Sequence, residues 1–149
     1  MSNITIRPME PEDWNAVSEI YSEGIATEHA TFQTTCPPYT AWDAFHIKEC
    51  RLVILDGGEL AGWAALRRVD PRWCYRGVAE VSIYVGEKFW GRGLGSRLLA
   101  ALCDESEKEG YWTLHSTVLQ DNTASLGLHT KCGFRVVGRR ERIARDCHG

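Results

Sequence analysis

The chain has 149 residues, a length typical of one domain, and 44% of its residues are hydrophobic and 25% charged. These proportions exclude disordered and fibrous proteins. A formal net charge of -3, with both signs interspersed, argues against a nucleic-acid-binding protein. We therefore expect one domain over residues 1–149 that binds no nucleic acid.

The first thirty residues contain several acids and no apolar run. We therefore predict neither a signal peptide nor a membrane segment, and we expect a cytoplasmic protein. The six cysteines are scattered without a CxxC pair, and no two histidines have the i, i+4 spacing of a helical metal site. We expect reduced cysteines and no metal.

The first half of the chain predicts a strand, two helices and a hairpin from its hydrophobic periodicity. The predicted elements are a strand through Ile4 and Ile6, a helix from Trp14 to Tyr21, a loop over residues 29–41, a short helix over residues 41–49, and strands over residues 52–55 and 60–66. Gly57 and Gly58 supply the positive φ of a tight turn, so the last two strands are predicted to form a hairpin.

The second half predicts two repeats of a strand followed by a helix, and then a final strand. The predicted elements are a strand over residues 78–85, a helix carrying Leu94, Leu98 and Leu102, a strand from Trp112 to Val118, a helix from Asn122 through Ser125, Leu128, His129 and Cys132, and a strand over residues 134–137. Gly133 is expected to end the second helix as its C′ glycine.

A glycine-rich turn stands between the predicted strand at residues 78–85 and the helix after it. Residues 90–96 read Trp-Gly-Arg-Gly-Leu-Gly-Ser, with three glycines at alternate positions. Backbone N–H groups at a helix N-terminus bind anions, and glycines let a phosphate approach them. The preceding hairpin fits a Rossmann site poorly, and no Lys-Ser or Lys-Thr follows the glycines as in a P-loop. We therefore predict a pyrophosphate site.

This turn resembles the Q/R-x-x-G-x-G/A hallmark of the GNAT superfamily of N-acetyltransferases, with Trp90 in place of the usual Gln or Arg. Three other stretches resemble the phosphinothricin and methionine sulfone or sulfoximine acetyltransferases. They are Thr31-Phe32-x-Thr34 with Pro37-Pro38, Arg72-x-x-Tyr75-Arg76 before residues 79–85, and Asn122-x-x-Ser125-x-x-Leu128-His129-x-x-x-Gly133-Phe134.

The resemblance implies a single α/β (α+β) domain, with a mixed, mostly antiparallel central sheet flanked by helices on both faces. It implies acetyl-CoA as co-substrate, a small amino-acid-like amine as acceptor, and a homodimer. Family members add a strand after the one expected at Phe134, so the last strand of this sheet is expected to be absent or built differently.

The expected cofactor site combines the glycine turn with residues that the resemblance adds. The adjacent strand would provide a backbone platform for the thioester and pantetheine, and the later helix would contact the cofactor. The residues are Ile83, Tyr84, Val85, Trp90, Gly91, Arg92, Gly93, Leu94, Gly95, Ser96, Asn122 and Ser125.

Glu80 and His129 are the predicted catalytic residues. Glu80 lies in an apolar strand, where it is either a solvated carboxylate or, as the resemblance implies, the base for the amine. A carboxylate is a much weaker base than an amine, so we favour a water relay. His129 is either a packed core histidine or, as the resemblance implies, an acid or base. Tyr84 is a weaker candidate to donate to the thioester carbonyl.

The predicted acceptor site contains Arg72 and Tyr75 for a carboxylate, with Phe32 and Trp73 as side-chain walls. Arginine binds a carboxylate through two parallel hydrogen bonds, and Arg76 is a second candidate for this clamp. The alternatives left open are acetylation of protein N-termini or polyamines, and a non-catalytic acyl-CoA-binding module.

Overall fold

The structure is a computed structural model, which describes residues 3–28, 30–31, 33–119 and 122–140. Its five strands form one sheet in chain order: β1 (Ile4–Pro8), β2 (Leu52–Asp56), β3 (Glu59–Arg68), β4 (Val78–Val85) and β5 (Thr113–His115). Strands β1 to β4 pair antiparallel, whereas β5 pairs parallel to β4. The predicted mixed, mostly antiparallel sheet is confirmed.

Helices cover both faces of this sheet: α1 (Trp14–Ala26), α2 (Tyr39–Phe45), α3 (Leu94–Lys108) and α4 (Thr123–Lys131). Neighbouring strand residues point to opposite faces. Val53 and Trp63 therefore pack with α1 and α2, and Ile54 and Leu66 pack with α3. The prediction of helices on both faces is confirmed.

Two predicted elements end several residues earlier in the structure than the sequence predicts. The helix predicted over residues 41–49 spans Tyr39–Phe45 because it starts directly after Pro38 and ends where His46 adopts extended backbone. The strand predicted to reach Val118 is β5, which ends at His115, where its pairing with β4 ends.

The strand predicted over residues 134–137 is wrong: no strand occurs among the described residues 134–140. Val136 and Val137 are exposed, at 77% and 84%. A strand needs a partner edge, and β5 offers only three residues.

The described part of the chain contains no group of three or more His, Cys, Asp or Glu side chains that could hold a metal ion. Within the same residues, no helix has the length and apolar character needed to cross a bilayer. The five described cysteines are free, and burial raises the pKa of the Cys50 thiol to about 11.

An aromatic cluster beneath α2 buries a histidine. The His46 ring stacks on Trp42 with centroids 4.4 Å apart, and its Nδ1–H donates to the Trp42 carbonyl at 2.8 Å. Burial lowers the pKa of His46 from 6.5 to about 4. The native state therefore holds this ring neutral at pH values where the unfolded chain protonates it.

We expect the His46 contribution to stability to be complete above about pH 6.5 and to be lost as the pH falls toward 4. Urea unfolding at pH 7.5 and 4.5 measures it. The free energy of unfolding should fall by about 2 kcal/mol more in the wild type than in His46→Gln, because only the wild type carries this proton linkage. Equal losses in the two proteins would contradict the prediction.

Candidate active site

A cavity of about 900 Å³ opens between the ends of β4 and β5 and the first turns of α3 and α4. Residues of β4, α3 and α4 line it, together with residues 116–119 that follow β5. The lining residues from β4, the glycine turn and α4 include Glu80, Val81, Ser82, Ile83, Tyr84, Val85, Trp90, Gly91, Gly93, Leu94, Gly95, Ser96, Asn122, Ser125 and His129. This cavity brings together most of the predicted cofactor and catalytic residues.

The cavity exists because β4 and β5 diverge. Their pairing between described residues ends at Glu80 opposite His115, although β4 continues to Val85. Residues 116–119 then line the cavity instead of extending the sheet. The β5 side of β4 beyond Glu80 therefore offers backbone groups to a ligand, as the resemblance implied.

The glycine turn leads into α3 with left-handed backbone at Gly91 and Gly93, whose φ values are +79° and +75°. Side-chain-bearing residues rarely adopt this conformation. Gly93 is the N-cap of α3 and supplies no side-chain hydrogen bond to the first turn. The first N–H groups of a 15-residue helix are thus left for an anion, so the site fits the pyrophosphate of acetyl-CoA.

Trp90 has a structural explanation that the sequence did not reveal. Its indole Nε1–H donates to the Val85 carbonyl at 2.8 Å, which ties the glycine turn to the end of β4. The side chain is 56% exposed and lines the cavity. Trp90 therefore fixes the turn against the strand, at the position where the hallmark has Gln or Arg.

Arg92 lies outside the cavity lining formed by the described residues, unlike the other predicted cofactor residues. Its guanidinium bonds to Asp56 on β2, with Nη1 to Oδ2 at 2.8 Å, and it lies 5.7 Å from the Phe89 ring. The structure therefore places Arg92 as a brace between the glycine turn and the β2–β3 hairpin, and its predicted contact with phosphate stays a prediction.

Glu80 lies in the cavity wall beside Arg67, its register partner on β3. The two form an ion pair with Arg67 Nη2 and Glu80 Oε2 3.0 Å apart, and the Glu80 side chain is 20% exposed. A partly buried carboxylate with a fixed cationic neighbour is held in one orientation. This geometry is compatible with proton transfer through a cavity water, and it replaces the alternative of a freely solvated side chain.

His129 is 6% exposed and lines the cavity from α4. Its Nδ1 lies 2.7 Å from the Ser125 carbonyl oxygen, which can only accept, so Nδ1 carries a hydrogen and donates it. Nε2 is buried without a hydrogen-bond partner among the described residues. A ring fixed through Nδ1, with Nε2 left over, suits exchange of a proton with a ligand.

Asn122 and Ser125 open α4 beside His129. The Asn122 side chain caps the helix by accepting a hydrogen bond from the Ser125 N–H at 3.1 Å. Both residues line the cavity. Tyr84 also lines it, but its ring stacks between Tyr21 and Trp63, each at 5.1 Å, which supports a packing role for this side chain.

The predicted acceptor residues are not brought together with the cavity. Phe32 lies outside the described residues. Arg72, Trp73 and Tyr75 lie on the connection before β4, and none of them is among the lining residues that the structure describes. Arg72 bonds to Asp70 and lies 4.7 Å from the Tyr75 ring. Their roles in binding the acceptor stay predictions.

Arg67 is a cavity residue beside Glu80 that was not predicted from the sequence. Nothing in its local pattern separates it from Arg68, which is the next residue on the same strand. The register of β3 against β4 brings Arg67 opposite Glu80. Only the length of the connection between these strands, combined with their pairing, would have given that register.

Comparison with known proteins gives consistent results. Residues 14–134 match the model of the acetyltransferase (GNAT) family. The phosphinothricin N-acetyltransferase of Alcaligenes faecalis is 34% identical over 140 residues, which cover 90% of this chain and 71% of that protein. The L-methionine sulfoximine/L-methionine sulfone acetyltransferase of Pseudomonas paraeruginosa is 28% identical over 145 residues, covering 93% of this chain and 84% of that protein.

Among solved structures, the GNAT superfamily phosphinothricin acetyltransferase of Sinorhizobium meliloti in complex with acetyl-CoA superposes with a TM-score of 0.82 at 28% identity. The match covers 91% of this chain and 76% of that one. The similarity therefore spans both the sheet and the elements that line the cavity.

Proposed function

Since the chain belongs to the acetyltransferase (GNAT) family and is an acetyl-CoA-dependent N-acetyltransferase, we propose that it acetylates the amino group of a small amino acid. The acceptor is of the phosphinothricin or methionine sulfone or sulfoximine type, after which the relatives are named. The observation that carries the proposal is the Glu80–Arg67 ion pair in the wall of a cavity beside an uncapped helix N-terminus.

Acetyl-CoA supplies the acetyl group when it is bound. The N–H groups at the start of α3, reached across Gly91 and Gly93, bind the pyrophosphate. The open side of β4 at residues 83–85 holds the pantetheine arm and thioester through backbone groups. Asn122 and Ser125 bind the cofactor from α4.

Two side chains move protons in this proposal. Glu80 takes the proton of the acceptor ammonium through a water molecule, while Arg67 keeps its carboxylate oriented. His129 takes up at Nε2 the proton that the amine nitrogen releases as it bonds to the thioester carbon, and passes this proton to the departing sulfur; its Nδ1–H bond to Ser125 fixes the ring for this task.

His129→Asn should lower kcat by about 100-fold, because asparagine retains a donor near the Nδ1 position but has nothing in place of Nε2. Steady-state kinetics measures this loss, with calorimetry of acetyl-CoA binding as the control for an intact site. His129→Gln is the matched variant. It places an amide near Nε2 that cannot exchange a proton, so it should be equally slow. A kcat within threefold of the wild type in both would remove His129 from the mechanism.

The decisive experiment measures thiol release from acetyl-CoA by the purified protein. The acceptors are L-phosphinothricin, L-methionine sulfone, L-methionine sulfoximine, spermidine and a short peptide with a free N-terminus. Turnover of the first three supports the proposal. Turnover of spermidine or the peptide alone would overturn the acceptor assignment, and tight acetyl-CoA binding without turnover of any amine would favour a binding module.

A homodimer and a cytoplasmic location are further parts of the proposal. The family resemblance, which implies a homodimer, supports this assembly. Light scattering coupled to gel filtration tests it: a mass near 34 kDa, twice the 16.8 kDa of the chain, is expected. A mass near that of one chain would contradict it.

A further inference from the structure

The proposed mechanism concerns the amine of the acceptor. It does not assign a cationic residue to the acceptor's carboxylate. We propose that Arg67 binds the α-carboxylate of the amino-acid acceptor and is therefore a specificity-determining residue. This inference rests on the proposed function, because it takes the acceptor to be an amino acid. The clamp predicted at Arg72 is the alternative that the experiment below compares with it.

The bond lengths of an amino acid limit where a cation that binds its carboxylate can lie. In an α-amino acid the amino nitrogen and the carboxylate carbon are bonded to the same carbon, so they lie about 2.5 Å apart. A cation that holds the carboxylate must therefore lie within a few ångströms of the group that takes the amine's proton. Arg67 meets this condition because its Nη2 is 3.0 Å from Glu80 Oε2.

The Arg67 guanidinium has N–H donors that the Glu80 ion pair does not use. A guanidinium has five N–H groups in a planar fork that matches a carboxylate. Among the described residues, Arg67 forms its ion pair through Nη2, and its Nε is buried without a hydrogen-bond partner. The side chain is 36% exposed and lines the cavity, so the outer part of the guanidinium can donate hydrogen bonds to a carboxylate.

Arg72, the predicted clamp, is already paired with a neighbouring carboxylate. Arg72 uses both Nε and Nη2 on Asp70, at 2.9 and 3.0 Å, which is the bidentate contact that an acceptor carboxylate would need. Its side chain is 66% exposed, and it lies outside the cavity lining formed by the described residues. Arg72 therefore already has a carboxylate partner, away from Glu80.

Two other cationic side chains line the cavity among the described residues, but neither is the strand neighbour of Glu80. Lys131 ends α4 and Arg140 follows it, whereas Arg67 is the direct neighbour of Glu80 across β3 and β4. The field of Arg67 also reaches the cavity wall. Burial raises the pKa of the Tyr84 hydroxyl, and the Arg67 charge opposes that rise. The Arg67 charge therefore acts in favour of an anion at this wall, against the effect of burial.

The test compares L-methionine sulfone with its α-carboxamide, which keeps the amine and removes the negative charge. Arg67→Gln should raise KM for the acid by about 30-fold and leave KM for the amide unchanged. Arg67→Lys keeps the charge without the fork and should recover part of the loss. Arg68→Gln is the matched control. It removes an arginine from the same strand at an exposed position outside the described lining, and it should change neither KM.

Each other outcome also decides the question. Equal losses of kcat on acid and amide, with the KM ratio preserved, would show that Arg67 only positions Glu80, and would overturn the proposal. A selective rise of KM in Arg72→Gln but not in Arg67→Gln would do the same. If the wild type acetylates neither compound, the proposed function fails, and calorimetric titration of L-methionine sulfone into the protein with CoA replaces the kinetics. Binding that Arg67→Gln loses would support the carboxylate site, whereas equal affinity or no binding would overturn it.

Discussion

Gly93→Val is expected to weaken acetyl-CoA binding by about 100-fold, because it disrupts the N–H groups assigned to the pyrophosphate. Gly93 has φ +75°, which a β-branched residue avoids at a cost of about 1–2 kcal/mol. The valine variant should relax toward negative φ and turn the first N–H groups of α3 away from the anion. The loss of one or two charge-assisted hydrogen bonds, at about 1.5–3 kcal/mol each, accounts for the size of the effect. Isothermal titration calorimetry with acetyl-CoA measures it.

Gly110→Val is the matched control for backbone strain. Gly110 follows α3, has φ +91° and lies outside the described cavity lining, and at both glycines an added Cβ would meet no described atom within 4 Å. Both variants should lose similar stability, but only Gly93→Val should lose affinity. Unchanged affinity in Gly93→Val, or an equal loss in Gly110→Val, would show that the turn is not the pyrophosphate site.

Elements governed by local chemistry could be predicted from the sequence. The hairpin turn depends on Gly57 and Gly58, whose φ values of +61° and +87° match the expected tight turn. Strand β4 has the predicted bounds, and α3 begins within the glycine turn as expected. In each case the information lies in a few neighbouring residues, namely positive φ at glycine and the spacing of apolar side chains.

Elements governed by distant pairing could not be predicted. The sequence from Trp112 to Val118 places Trp112, Leu114 and Val118 at alternate positions typical of a strand, yet β5 ends at His115 because β4 and β5 diverge there. That divergence creates the cavity, so the predicted strand fails at a functional feature. Residues 134–137 contain three apolar residues but have no partner edge, and apolar residues alone do not form a sheet.

The residues of the candidate site also differ in how far the sequence predicts them. The glycine turn could be identified from its own residues, whereas Glu80 and His129 needed a family resemblance to be preferred over a surface carboxylate and a core histidine. Arg67 could not be found by either route, because its position beside Glu80 depends on the register between two strands, in which residues thirteen positions apart in the chain lie opposite each other. Pairwise register is information that a single sequence does not carry.

Glu80→Gln should lower kcat at neutral pH by about 100- to 1000-fold while leaving acetyl-CoA affinity within a factor of two. Glutamine keeps the shape of the side chain and a polar partner for Arg67 but cannot take a proton from the acceptor. Glu59→Gln is the matched control, because it removes a carboxylate paired with Lys88 at the surface, away from the described cavity lining, and should leave kcat unchanged.

The pH profile separates loss of the base from loss of geometry. The acceptor ammonium has a pKa of roughly 8 or above, so at neutral pH most of it must lose a proton at the enzyme, whereas at higher pH more of it arrives as the free amine. The deficit of Glu80→Gln should therefore shrink as the pH rises toward 9.5, because the missing proton transfer is supplied by the solvent. A deficit that is constant with pH would mean that the carboxylate only holds Arg67 in place. Activity equal to the wild type at every pH would remove Glu80 from the mechanism.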